Sequence, residues 1–104
     1  METLNCLRLG MEGTNLILVN ECGEDIRVYN IEVKYYVTGA LALRHVREED
    51  QLRRARRMIT ERISVDKILA PGSSLTVYFG VIENVVEVYA EVLYRDRRIR
   101  VKLM

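Results

Sequence analysis

Residues 86–103 read VEVYAEVLYRDRRIRVKL, and this stretch decides the fold class. Apolar and polar residues alternate on both sides of Asp96-Arg97, which predicts an antiparallel hairpin that turns there. Side chains alternate between the two faces of a strand, so a slip of one residue would destroy the match of apolar with apolar residues. The predicted pairs on the apolar face are Tyr94 with Ile99, Val92 with Val101 and Ala90 with Leu103.

A second hairpin is predicted at the start of the chain, folding back around Glu12-Gly13. Glycine suits this turn because it adopts positive φ without strain. In this register Cys6 faces Val19, and Cys22 lies about three residues further along, an offset of roughly 10 Å at about 3.3 Å per residue. A disulfide does not span that distance. The predicted geometry therefore favours two free thiols, with a disulfide as the alternative.

The middle of the chain shows the same alternation. Ile26–Val37 is predicted as one long strand with a bulge near Asn30, because the parity of the apolar positions shifts there. Shorter strands are predicted over residues 63–68 and 75–79, separated by Pro71-Gly72, which suits the central positions of a type II turn. Short strands separated by turn signals at this spacing are typical of an all-β sandwich or barrel.

Residues 41–62 depart from this alternation. At 100° per residue a single stripe contains Leu52, Ala55, Ile59 and Ile63. Acidic residues precede the arginines in this segment, an order that the helix dipole favours. The pattern predicts one short helical insertion near residues 48–60. The alternative is a long hairpin, with strands over residues 41–47 and 53–64.

Two segments resemble a known family. Residues 16–26, LILVNECGEDI, resemble the passage from the second to the third strand in immunoglobulin-like β-sandwich modules of archaea, which occur in surface and filament-associated proteins. Residues 70–75, APGSSL, are similar to the Pro-Gly-Ser turn that starts a later strand in those modules. The resemblance implies an immunoglobulin-like antiparallel β-sandwich of six or seven strands, in a module that binds or assembles. It assigns no functional residue.

Composition sets the class of protein and its expected location. A chain of 104 residues with 49% hydrophobic and 30% charged residues is expected to form a single domain over residues 1–104. The apolar runs are too short for a membrane span or a secretory signal, so a cytoplasmic location is expected. The family resemblance implies the cell surface as the alternative. Thirteen of the sixteen basic residues are arginine, which suits a thermophile, although GC-rich codon usage produces the same bias.

The strongest candidate for binding chemistry is a cluster of four arginines within five residues, Arg53, Arg54, Arg56 and Arg57. Such a cluster could contact phosphates. On a helix, however, acidic residues would lie four positions from three of the arginines, and such pairs contribute about 0.2–0.5 kcal/mol each and neutralise the face. The segment has no aromatic residue for base stacking. An ion-paired helix is therefore the favoured interpretation, ahead of contact with a protein partner and contact with nucleic acid.

Enzymatic chemistry is not expected. His45 is the only histidine, and its neighbours have no spacing that suits a metal site or a general base. The sequence has no Gly-rich phosphate loop and no hydrolase or metalloprotease motif. The sequence therefore predicts no catalytic residue, no metal, no cofactor and no small-molecule substrate.

The favoured function is a non-enzymatic interaction or structural module. On the predicted registers Tyr78, Tyr89 and Leu93 point outward, and outward apolar residues on several strands indicate a covering element or a partner. We expect a homodimer or other homo-oligomer that associates through an exposed sheet face or edge, with these three residues as apolar contacts and the arginines at the rim. The alternative is a small nucleic-acid-binding protein that uses Arg53–Arg57. A membrane partner is not expected.

Overall fold

The structure is a computed structural model, and it describes residues 3–38, 56–78, 80 and 85–104. These ranges contain seven strands and no helix. In chain order the strands are β1 (Leu7–Glu12), β2 (Asn15–Asn20), β3 (Ile26–Thr38), β4 (Arg56–Leu69), β5 (Ser74–Tyr78), β6 (Val85–Tyr94) and β7 (Arg97–Lys102). They form two antiparallel sheets with the strand orders β1-β2-β5 and β4-β3-β6-β7. The predicted all-β class is confirmed for the described residues.

The β1–β2 hairpin has a different register from the predicted one. Leu9 lies opposite Leu18, whereas the prediction paired it with Leu16. The turn is formed by Gly13 and Thr14, one residue later than predicted. Gly13 has φ 60°, and Thr14 is not among the residues with positive φ. This combination is the type II′ pattern, which favours glycine at the first central position. The two-residue shift in register keeps the parity, so each side chain still lies on its predicted face.

The corrected register overturns the expectation of free thiols. Cys6 and Cys22 form a disulfide, with their Cα atoms 4.8 Å apart. The backbone N–H of Glu21 donates to the Cys6 carbonyl over 2.7 Å, so Cys22 follows directly after the residue that faces Cys6. The predicted offset of roughly 10 Å depended on a turn placed one residue too early. The disulfide closes the open end of the β1–β2 hairpin.

The β6–β7 hairpin is also shifted by two residues. Val92 lies opposite Ile99, so the predicted direct pairing of Val92 with Val101 is wrong. The turn residues are Arg95 and Asp96, with φ values of 52° and 60°. Positive φ at both central positions is the requirement of a type I′ turn, whose backbone twist matches that of the strands it joins. Parity is again preserved, and Val92 and Val101 are both fully buried.

The predicted bulge in the third strand is confirmed. The register of β3 shifts between Val28 and Asn30 on both of its sides. On the β4 side, Val65 and Asp66 occupy the space opposite Tyr29, and Asp66 has φ 49°. Buried positions change from even to odd numbers across this point, which the sequence pattern had indicated. The bulge also ends the regular part of β4 at Ser64.

The predicted helical insertion is wrong where the structure describes it. Residues 56–60 belong to β4, a strand of 14 residues, and the remainder of the predicted helix lies outside the described residues. Tyr35 on β3 lies opposite Ile59, and Ile59 packs against the core. β-Branched residues favour strands, and β3 offers a long template for pairing. The second strand of the alternative hairpin agrees with β4 over residues 56–64.

Both sheets contribute side chains to one hydrophobic core. Leu16 and Leu18 from the three-stranded sheet and Ile31, Val33 and Val88 from the four-stranded sheet are fully buried in the same cluster. Their spacing of two along each strand follows from the side-chain period of a strand. The residues between them lie on the opposite faces of the two sheets.

Asn20 links the two sheets. It is the only polar or charged residue in the described part of the chain that is fully buried. Its side-chain N–H groups donate to the carbonyl oxygens of Leu69 at 2.8 Å and Glu24 at 2.9 Å. Its side-chain oxygen accepts from the backbone N–H of Cys22 at 2.8 Å. The end of β2 is thereby tied to the end of β4 and to the loop before β3.

Candidate interaction surfaces

The outer side of the four-stranded sheet carries a network of charged side chains, which we call the charged face. Each strand contributes alternate residues to it, because the residues between them point into the core. The members are Glu32, Lys34, Arg62, Glu87, Tyr89, Glu91, Arg98 and Arg100. The antiparallel registers place them in rows across the sheet, so each cation lies beside a carboxylate or an aromatic ring.

Tyr89 lies at the centre of the charged face. Its residue exposure is only 5%, because the guanidinium of Arg100 lies 4.4 Å from the ring centroid and the ammonium of Lys34 lies 5.5 Å from it. The Tyr89 hydroxyl donates to Glu87 over 2.7 Å. This hydrogen bond, with burial, raises the pKa of Tyr89. The same bond, together with the positive charge of Lys34, lowers the pKa of Glu87.

Two further carboxylates connect the strands of the charged face. Glu32 on β3 accepts from Arg100 on β7 and lies 3.6 Å from the guanidinium of Arg62 on β4. Glu91 on β6 accepts from the side-chain N–H of Asn30 at 3.1 Å and from Arg98. The hydrogen bond from Asn30, followed by that from Arg98, lowers the pKa of Glu91. These contacts link side chains on all four strands of the sheet.

Tyr29 extends this network past the bulge. The guanidinium of Arg98 lies 4.2 Å from its ring centroid and that of Arg27 lies 5.3 Å from it. Arg27 also forms an ion pair with Asp66 at 2.8 Å, and that hydrogen bond raises the pKa of Arg27. Arginine stacked on a tyrosine ring covers apolar area with a charged group. The rings of Tyr29 and Tyr89 are therefore each covered by the chain's own cations.

The structure separates the three predicted apolar contact residues. Tyr89 and Leu93 both lie on the outer side of β6. Tyr89 is covered as described above, and Leu93 is half-buried with Arg27 and Arg98 as its cross-strand neighbours. Tyr78 belongs to β5 in the other sheet, and its side chain lies outside the described part of the structure. Their role in partner contact stays a prediction.

The arginine cluster is described only at its end. Arg53 and Arg54 lie outside the described residues, and only the backbone of Arg56 is described. Arg57 is exposed and lies opposite Val37. On a strand, Arg57 and Glu61 are separated by roughly 13 Å, so the ion pair expected for a helix does not form between them.

The free side of β4 is the longest open edge of the described chain. β4 is hydrogen-bonded to β3 and, among the described residues, has no neighbour on its other side. Its regular part covers residues 56–64, which we call the β4 edge. Among the described residues, pairing of β3 with β6 extends to Tyr35 and Val85, and the first residues of β4 lie opposite the part of β3 beyond this point. Met58, opposite Tyr36 of β3, is 46% exposed.

Sequence reasoning missed Asn20 and the charged face. Both depend on which residues face each other, and the predicted registers were displaced by two positions.

Within the described ranges no group of three or more potential ligands could hold a metal ion. The same ranges contain no helix of the length and apolarity needed to span a membrane. In comparisons with protein-family models, curated proteins and solved structures, nothing matches this chain.

Proposed function

We propose that this protein is a non-enzymatic interaction module that associates with copies of itself through a sheet edge. The observation that carries the proposal is the β4 edge, where nine consecutive residues are paired on one side only within the described structure. Unpaired N–H and C=O groups on an edge strand are a template for pairing with another strand. Proteins usually protect edges that must not associate by shortening, bending, covering or charging them. The bulge at Asp66 bends β4 only beyond residue 64, and the charges along residues 56–64 include both signs.

The proposed architecture is an immunoglobulin-like β-sandwich. The strand orders β1-β2-β5 and β4-β3-β6-β7 support it, because such sandwiches pack two antiparallel sheets of this size over a shared core. Leu7 and Leu9 of β1 line one surface cleft with Lys102 of β7, so the edges of the two sheets lie side by side. A module of this kind fits the archaeal family that the sequence resembles.

Sedimentation velocity tests the proposed self-association. We expect the mean mass to rise from that of one chain toward that of a dimer or larger assembly between low and high micromolar concentration. A single species with the mass of one chain over that whole range would refute the proposal. Purification from the source organism would show whether another protein co-purifies in place of a second copy.

Nucleic-acid binding is the second candidate function. It gains support from β4, because the helix that would have paired Arg57 with Glu61 is replaced by a strand on which they lie far apart. We expect retarded migration of duplex DNA or RNA at low salt, lost at higher salt as counterion release requires. Replacing Arg53, Arg54, Arg56 and Arg57 with Ala should abolish the shift. Binding that survives this replacement would eliminate the arginine cluster as the site.

The disulfide favours the cell-surface alternative over a cytoplasmic location. Disulfides persist in oxidising compartments and are rare in the reducing cytosol, except in hyperthermophiles. An oxidising location at the cell surface and the cytosol of a hyperthermophile both agree with the resemblance to archaeal modules and with the arginine-rich composition. Alkylation during lysis of the source cells, without reductant, should leave Cys6 and Cys22 unmodified in the measured mass. Two added alkyl groups would show that both cysteines are reduced in the cell, which would favour a cytoplasmic location.

A further inference from the structure

We propose that two copies of the chain pair antiparallel along the β4 edge, about a two-fold axis that passes beside Ile59. This inference rests on the self-association proposed above and names the surface that performs it. In a symmetric pair the same segment occurs on both sides of the interface, so the edge must complement itself. The residues on either side of Ile59 meet this requirement.

The charges of the β4 edge are complementary about Ile59. Two positions before it stands Arg57 and two positions after it stands Glu61, both exposed. With the axis at Ile59, Arg57 lies opposite Glu61 of the partner subunit, and the reciprocal pair forms on the other side of the axis. Within one chain these two residues are separated by roughly 13 Å along the strand, so they are not cross-strand neighbours. In the dimer each gains a directly opposed partner of opposite charge.

The apolar residues of the segment match in the same register. Ile59 lies opposite Ile59 of the partner subunit, on the face that continues from the core. Met58, 46% exposed in the single chain, lies opposite Thr60 of the partner subunit and loses exposed area. The two four-stranded sheets then become one continuous sheet of eight strands. Main-chain hydrogen bonds supply affinity in such strand addition, and the alternate side chains supply specificity.

Neighbouring registers are less favourable. An axis at Glu61 places two carboxylates against each other, and an axis at Thr60 places Glu61 against Ile59. The Ile59 register also contains two like-charge pairs, because Arg56 lies opposite Arg62 of the partner subunit on both sides of the axis. Arg62 lies 3.6 Å from Glu32 in its own chain, and that carboxylate moderates the repulsion. Beyond Ser64 the bulge disrupts the edge, and among the described residues the Ile59 register pairs residues 56–62 of the two copies.

Charge reversal tests this register. Arg57→Glu alone and Glu61→Arg alone each turn two attractive pairs into two repulsive ones, and we expect each to raise the dimer dissociation constant at least about tenfold. An equimolar mixture of the two single variants restores two attractive pairs, so heterodimers should form at wild-type concentration. The double variant Arg57→Glu/Glu61→Arg should regain homodimers. Lys67→Glu, a reversal on the same strand beyond the bulge, is the matched control and should leave dimerisation unchanged.

The outcomes separate this inference from the general proposal. Dimerisation that is equal in all four variants would overturn pairing at the β4 edge and leave self-association through another surface. A wild-type chain that stays a single copy would overturn both. Far-UV circular dichroism of each variant shows whether it keeps its β structure, and rescue in the mixture requires that both variants are folded. Sedimentation velocity of the mixture, with one variant fluorescently labelled, measures the heterodimer directly.

Discussion

Replacing Asn20 with Ala should destabilise the protein by about 3 kcal/mol, since three side-chain hydrogen bonds of roughly 1 kcal/mol net each are lost. Two of these bonds are buried, to the Leu69 carbonyl and from the Cys22 N–H, and their backbone partners would remain without a donor or acceptor. For a domain of about 100 residues this corresponds to a fall in Tm of at least roughly 12 °C.

Urea unfolding followed by circular dichroism measures the effect. The control is Asn5→Ala at an exposed position near the start of β1, which should change the unfolding free energy by less than about 0.5 kcal/mol. Asn20→Asp adds a second comparison, because a carboxylate oxygen would then face the carbonyls of Leu69 and Glu24. It should be more destabilising than Asn20→Ala at neutral pH and less so as the pH falls and the carboxyl becomes protonated. An Asn20→Ala variant as stable as the Asn5→Ala control would refute the proposed link between the sheets.

Three further predictions concern the disulfide and the charged face. Replacing Cys6 and Cys22 with Ser should cost about 3 kcal/mol, the value for a loop of about 15 residues, and a double variant as stable as wild type in urea would contradict this. Glu87 and Glu91 have lowered pKa values, so they stabilise the folded state above the ordinary glutamate pKa of about 4.3, and this contribution is lost as pH falls through their folded pKa values. Thermal unfolding between neutral and acidic pH should therefore show a steeper loss of Tm in wild type than in Glu91→Gln. Tyr89→Phe removes the hydroxyl donor and should raise the pKa of Glu87 in a carboxyl NMR titration; an unchanged pKa would show that Lys34 alone determines it.

The faces of the strands were predictable from the sequence, whereas the pairing between strands was not. A strand repeats every two residues, so Val92 and Val101 fall on the buried side whether or not they face each other. Register depends instead on where the turn begins. Gly13 takes positive φ at the first central position of its turn, and Arg95 does the same in the second hairpin although arginine rarely adopts it. The alternation of apolar residues does not indicate at which residue a turn begins.

The helix error has a related cause. Ile59 and Ile63 are separated by four residues, a spacing that fits one face of a helix and one face of a strand equally well. The pairing partner decided the outcome, because β3 continues to Thr38 and offers backbone groups to residues 56–64. Pairing with β3 also determines the geometry of the β4 edge. Only on a strand do Arg57 and Glu61 lie far enough apart to face each other across an axis at Ile59.

Cross-linking at the proposed axis tests the central claim most directly. With Ile59→Cys, the new thiol would face its own copy across the axis, and mild oxidation should yield a covalent dimer. Ile63→Cys is the matched control, a half-buried isoleucine on the same face of β4, whose copies would be roughly 26 Å apart in the paired dimer. The native cysteines are already joined to each other. We predict a covalent dimer from Ile59→Cys and none from Ile63→Cys; equal yields from both, or a dimer only from Ile63→Cys, would contradict pairing through the β4 edge.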